Sequence, residues 1–262
     1  MMFSNIRKCE TDINVILDEP LTSDSCTKLI IEFIKYVLYQ KQQIPFTYDS
    51  LVHLQAKTKK SDRNSLFIKT LLNSLTNVSD HLSSELLFKD CKVKEIVIIV
   101  GPTIVSPKLQ ITLELPTQIL DSLCHTKCKH SSQKPLLNLM RSMMECKEFQ
   151  DAMTLPLGPT NTFFLLQKSD NNSLSNFFLP KPNYIPSIQT SQSFRIKLLH
   201  NNQLDIDCNC TNLVKVYREL ANTNFKDDSI MQCKEQSNEQ IVQAPFRWYQ
   251  SREVIKGFKY VR

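Results

Sequence analysis

Residues 92–116 read "KVKEIVIIVGPTIVSPKLQITLELP", two β-rich runs separated by Gly101-Pro102 and Ser106-Pro107. Glycine and proline in that arrangement punctuate rather than continue a strand, so the two runs read as the arms of a hairpin. In the second arm Leu109, Ile111, Leu113 and Leu115 alternate with polar neighbours, which predicts a strand with one buried face. What flanks the hairpin sets the fold class.

Upstream, Cys26, Leu29, Ile30, Phe33, Ile34, Val37 and Leu38 recur at three- and four-residue steps, the spacing of an amphipathic helix. Ser23 or Asp24 is its expected cap, and the helix should stop before Pro45 with its first turns buried and its end polar. The connector "QAKTKKSDRN" (55–64) is basic and reads as a solvated loop, with no aromatic interleaved to stack a base. A second helix follows, carrying Phe67, Ile68, Leu71, Leu72, Leu75, Val78, Leu82, Leu86 and Leu87 on one broad face.

Downstream of the hairpin a third helix is expected after Pro135, with Leu136, Leu139, Met140, Met143 and Met144 close together and Phe149 and Met153 further on. Methionine is flexible and polarizable, which suits either an adaptable contact surface or plain core. "NTFFLLQK" (161–168) reads as a strand, and "SFRIKLLHNNQLDIDC" (193–208) as strand, Asn-Asn turn and strand. Between them, Pro180, Pro182 and Pro186 exclude a regular central strand. The order helix, helix, hairpin, helix, β-rich remainder is that of an α+β domain.

Composition narrows function more than it names it. A net charge of +6 is mildly basic and demands neither nucleic acid nor an acidic partner. Only Gly101, Gly158 and Gly257 occur, too few and too scattered for a glycine-rich phosphate loop. No apolar run is long and uninterrupted enough to span a bilayer, no secretory signal is evident, and nine unframed cysteines fit a reducing compartment. No small-molecule substrate and no cofactor is suggested.

The densest reactive cluster is "CHTKCKH", with Cys124, His125, Cys128 and His130, and Cys146 nearby. Its spacing matches no common zinc pattern and a second ligand pair is missing, so a plain loop competes with a metal or thiol site. No orienting group, oxyanion donor or framed carboxylate pair accompanies it, and a non-enzymatic protein is expected.

Three segments, "YVLYQKQQIPFTYDSLVHL" (36–54), "FFLPKPNYIPS" (177–187) and "VQAP" (242–245) followed by "KGF" (256–258), resemble the comet family, the Mad-two-binding members of the HORMA class. The resemblance implies a HORMA-like α+β domain over residues 13–262, after a short segment 1–12. Three helices would pack on a mostly antiparallel sheet, with a C-terminal safety belt over about 160–262 and a possible insertion at 211–240. It implies an adaptor that binds closed Mad-two through a dimer-like contact and presents it to an AAA+ remodelling ATPase. That would promote disassembly of the mitotic checkpoint complex and silencing of the spindle checkpoint, in nucleus and cytoplasm and with possible spindle or kinetochore association.

By position, the Mad-two face would comprise Tyr39 and Gln40 at the end of the first helix and Leu136, Met140, Met143 and Met144 on the third. Pro180, Lys181, Asn183 and Tyr184 would face the ATPase, and Ala244, Pro245, Gly257 and Phe258 would hold the chain's own tail in its belt. The alternative is a HORMA module of another pathway, which captures a partner peptide in that belt.

Overall fold

The computed structural model describes residues 10–57, 62–87, 91–120, 131–170, 175–186, 192–200 and 245–260. The cysteine–histidine cluster at 124–130, the turn expected after His200, the stretch 211–240 and Ala244 therefore lie outside the described residues. Within them the strands are β1 (Thr11–Leu17), β2 (Cys91–Gly101), β3 (Leu109–Glu114), β4 (Asn161–Asp170), β5 (Phe178–Pro180), β6 (Gln192–His200), β7 (Phe246–Ser251) and β8 (Ile255–Lys256). The helices are α1 (Ser23–Gln40), α2 (Tyr48–Lys57), α3 (Arg63–Leu87), α4 (Gln133–Glu145) and α5 (Lys147–Thr154).

The expected hairpin forms the middle of one sheet, ordered β1-β6-β3-β2-β4-β7-β5 with β8 beside β4. β2 and β3 pair antiparallel from Glu95↔Glu114 to Val100↔Leu109. Their connection folds tightly over Gly101, where a Cβ would sit 2.7 Å from the Ser106 carbonyl oxygen, so only glycine fits. β6 pairs parallel with both β3 and β1, and the remaining pairings are antiparallel. This is the mostly antiparallel α+β architecture of the HORMA class.

One expectation about β3 needs correction. Its polar positions Gln110 and Thr112 are buried along with Leu109, Ile111 and Leu113, because the strand is central and both faces of the sheet are covered. The main core lies on the helical face, where Ile96, Ile98, Val100, Phe164 and Leu166 meet α1 and α3. On the opposite face Val97, Ile99, Phe163 and Leu165 form a smaller cluster with Ile104, Tyr184, Trp248 and Val254 around it.

A strand not expected from the sequence lies at the start of the described residues. β1 begins at Thr11, burying Ile13, Val15 and Leu17 by the two-residue alternation of an edge strand. The three expected helices are α1, α3 and α4; α2 and α5 join them. Phe149 and Met153 belong to α5 rather than to a longer third helix, because the chain turns extended at Cys146 between the two.

The α1 start differs in detail as well. Thr22, not Ser23 or Asp24, is the cap: it is extended, its hydroxyl accepts the Ser25 N–H at 3.2 Å, and Ser25 Oγ accepts the Thr22 N–H at 2.8 Å. This reciprocal box satisfies two otherwise orphaned donors inside the protein.

α3 is the spine against which the C-terminal region packs. Glu85 on α3 pairs with the fully buried Lys168 of β4 at 2.7 Å, and the Lys168 ammonium also lies 4.8 Å from the ring centre of Tyr249 on β7. Phe67 stacks on Phe258, and His81 on Phe177. Asn77 donates to Glu253 further along the same helix. No helix among the described residues is long and apolar enough to cross a membrane.

Candidate partner-binding site

α1 ends in "YQKQQ", residues 39–43, and the structure assigns a different task to each polar residue. Gln42 has φ 53°, its N–H donates to Tyr39 O at 3.0 Å, and the Gln43 N–H donates to Leu38 O at 2.8 Å. Those two bonds are a Schellman turn with Gln42 in the left-handed position usually given to glycine. A side chain there costs about 1–2 kcal/mol.

Lys41 and Gln43 flank that turn and are both fully buried, so the polar helix end expected from the sequence is in part an internal one. The Lys41 ammonium donates to Ala152 O at 2.6 Å and Leu155 O at 2.5 Å, so a cation meets the carbonyl end of α5 where the helix dipole favours it. Burial pushes its pKa below the ordinary 10.5.

Gln43 works as a hub. Its Nε2 donates to Lys41 O at 2.9 Å and Gly158 O at 3.1 Å, with Leu157 O further away at 3.4 Å. Its Oε1 accepts the Thr160 N–H at 2.8 Å. The partners can each play only one role, which fixes the amide orientation. Its backbone oxygen accepts the Phe258 N–H at 2.9 Å, and a Cβ on Gly257 would come within 2.7 Å of Oε1. A single glutamine thus ties the end of α1 to the 157–160 loop and to the C-terminal tail.

Held by these two anchors, Tyr39 stands exposed and Gln40 half-exposed on the wall of a cleft of about 820 Å³. The end of α5 and tail residues Phe258, Lys259 and Tyr260 complete it. The α4 residues expected beside Gln40 do not line it. Leu136 and Met140 are half-buried and Met144 is exposed, so they remain surface candidates on α4 itself.

Met143 is a correction: it is 0% exposed and packs in the core, because it lies one turn after Leu139 on the buried stripe. Sequence reasoning missed Leu137, which is 62% exposed and shares a stripe with Met140 and Met144 at helical spacing. That spacing of three and seven residues was the available signal. Asn138 fixes the helix to the sheet edge by donating to Ile16 O at 3.2 Å and to Asp18 at 3.1 Å.

At the other end of the sheet β7 lies between β4 and β5, pairing antiparallel with both. Trp248 sits inside the strand opposite Gln167, which gives the tail a continuous register, while Pro245 is exposed just before it. Pro180 ends β5 on the sheet edge and is exposed, as the lack of an N–H requires. The Lys181 N–H donates to Trp248 O at 2.7 Å, and Asn183 is exposed.

Tyr184 does not face outward with them. Its ring meets Trp248 edge-on at 5.2 Å and its hydroxyl is buried, pushing the phenol pKa up to about 12, so it anchors the segment instead. Leu179 and Ile185, the latter 83% exposed, are the apolar side chains that the segment does present. Among the described residues no group of three or more metal-ligating side chains comes together.

A family model covers residues 4–194 of this chain, that of p31comet, described as Mad1 and Cdc20-bound-Mad2 binding. The chain belongs to the p31comet family. The MAD2L1-binding protein of Homo sapiens is 26% identical over 193 residues, 67% of this chain and 66% of the human protein. That of Mus musculus is 25% identical over 197 residues, 68% of this chain and 67% of the mouse one. The chain thus spans about two thirds of these relatives' length, and the p31comet match ends inside β6, before β7 and the tail.

Proposed function

We propose that this chain is a non-enzymatic adaptor that binds closed Mad2 and presents it to an AAA+ remodelling ATPase, promoting mitotic checkpoint complex disassembly. Family membership supports the first half, through the binding that the family model and both relatives are named for. The observation that carries the site is the end of α1, where Tyr39 and Gln40 face outward from a turn immobilised by buried Lys41 and Gln43. A preorganised polar and aromatic pair of this kind loses little entropy on binding.

Exposed Leu137 and Met144, with half-buried Met140 between them, supply an apolar surface on α4 for the same partner. Pro180, Lys181 and Asn183, flanked by Leu179 and Ile185, are proposed to face the ATPase from the opposite sheet edge. The pairing of β7 with both β4 and β5 weighs against capture of a partner peptide there, since the chain's own strand takes the place. Working in nucleus and cytoplasm belongs to the same proposal.

Titration calorimetry with Cdc20-bound Mad2 tests it. Wild type should bind, Met144→Ala with Leu137→Ala should weaken binding, and Lys181→Ala should spare it while abolishing ATPase-dependent release of Mad2. No binding by a folded wild-type chain would end the proposal.

A further inference from the structure

The cleft at the end of α1 has walls of three origins, one of them the end of α5 and the loop after it, from Met153 to Pro159. Tyr39, Gln40 and Gln42 come from the helix end; Phe258, Lys259 and Tyr260 come from the tail, more than two hundred residues later. The tail wall is seated by the Phe258 N–H on Gln43 O at 2.9 Å, the Gly257 N–H on Thr160 O at 2.7 Å, and the stack of Phe258 on Phe67. Beyond that seat, the ring of Tyr260 meets Phe46 edge-on at 5.5 Å. The described walls carry Lys259 and no carboxylate.

Gln42 adds a second indication. It occupies the left-handed position of the turn, where glycine would be unstrained, and its residue lines the cleft. Strain of this kind gathers at ligand clamps.

We propose that the helix end and the tail form one composite cleft, occupied by an apolar or aromatic side chain of closed Mad2 that lies beside a carboxylate or carbonyl oxygen for Lys259. This rests on reading Tyr39 and Gln40 as partner contacts, and it is continuous with them. A partner in the cleft touches the helix end and the tail, so tail seating and partner binding are linked: whatever factor the seated tail adds to affinity, the partner returns as stability of the seat. The tail is then part of the binding surface and not only a filler of the chain's own sheet.

The test is a set of affinities for Cdc20-bound Mad2, measured on the full chain, for wild type and the variants Gln40→Ala, Lys259→Glu and Tyr260→Ser. It is joined to hydrogen exchange at the Phe258 amide with and without partner. Lys259→Glu and Tyr260→Ser should each weaken binding by about tenfold with thermal unfolding unchanged, as for truncation of an interface contact. The partner should slow exchange at Phe258.

If Gln40→Ala weakens binding while both tail variants bind like wild type and exchange is unchanged, the composite cleft is wrong and the proposed function stands. If wild type binds and none of the variants alters affinity, the composite cleft falls together with the reading of Tyr39 and Gln40 as partner contacts. Should Tyr260→Ser lower thermal stability, Lys259→Glu and the exchange measurement decide. Self-association that fills the cleft with a second copy, lost in Tyr260→Ser, would also overturn the proposal.

Discussion

The end of α1 and the middle of α4 carry opposite chemistry and invert the usual link between polarity and exposure. Lys41 and Gln43 are polar and fully buried, whereas Leu137 and Met144 are apolar and exposed. The difference lies in what each backbone needs. Where α1 stops, carbonyls of α5 and the 157–160 loop require donors, and Lys41 and Gln43 deliver them inside the protein. In the middle of α4 the helix's own hydrogen bonds serve the backbone, so the side chains there divide between the core and a surface.

That contrast can be broken by substitution. Met143→Ala should lose about 3 kcal/mol of stability, as expected for a buried methionine, while adjacent Met144→Ala should change it by less than about 0.5 kcal/mol. Equal losses in urea titration would mean that the α4 faces are assigned wrongly.

Gln43→Leu keeps the volume but strands the Thr160 N–H and the Gly158 carbonyl. A loss of about 2 kcal/mol follows from leaving such groups unpaired. Faster hydrogen exchange should be confined to Thr160 and Phe258; exchange spread evenly over the chain would argue against a local hub.

Gln42→Gly goes the other way, raising stability by about 1 kcal/mol as left-handed strain is removed. A destabilised variant would show that the Gln42 side chain contributes more to the fold than its backbone costs.

The smallest signal is a slope. Lys41 is held below its ordinary 10.5, so between the lowered value and 10.5 the unfolded chain binds the proton that the folded chain has lost. Stability should therefore rise with pH through that window and be level below it as far as this group is concerned. Subtracting the profile of Lys41→Met isolates it, and a difference that falls with rising pH would contradict the assignment.

Local pattern carried much of this fold. The hairpin at 92–116 and the apolar face of α1 follow from spacing alone, since the two-residue alternation and the three- and four-residue steps are contained within each element. β1 escaped although Ile13, Val15 and Leu17 alternate, because its pairing partner β6 lies about 180 residues away. The burial of Gln43 was hidden for the same reason: its contacts are with residues 158, 160 and 258.

At the candidate site, Tyr39 and Gln40 were singled out through the resemblance, and their exposure follows from a turn that no periodicity reveals. Met143 and Met144 are chemically identical and about 100° apart on the helix. Pairing Met143 with Leu139 four residues earlier would have separated them.

The central claim is that the outward pair at the end of α1 reads the partner. Titrating Cdc20-bound Mad2 into wild type and Gln40→Ala tests it most directly, with thermal unfolding measured in parallel. About tenfold weaker binding by Gln40→Ala at unchanged thermal stability is the predicted result. Equal affinity for the two chains would contradict it.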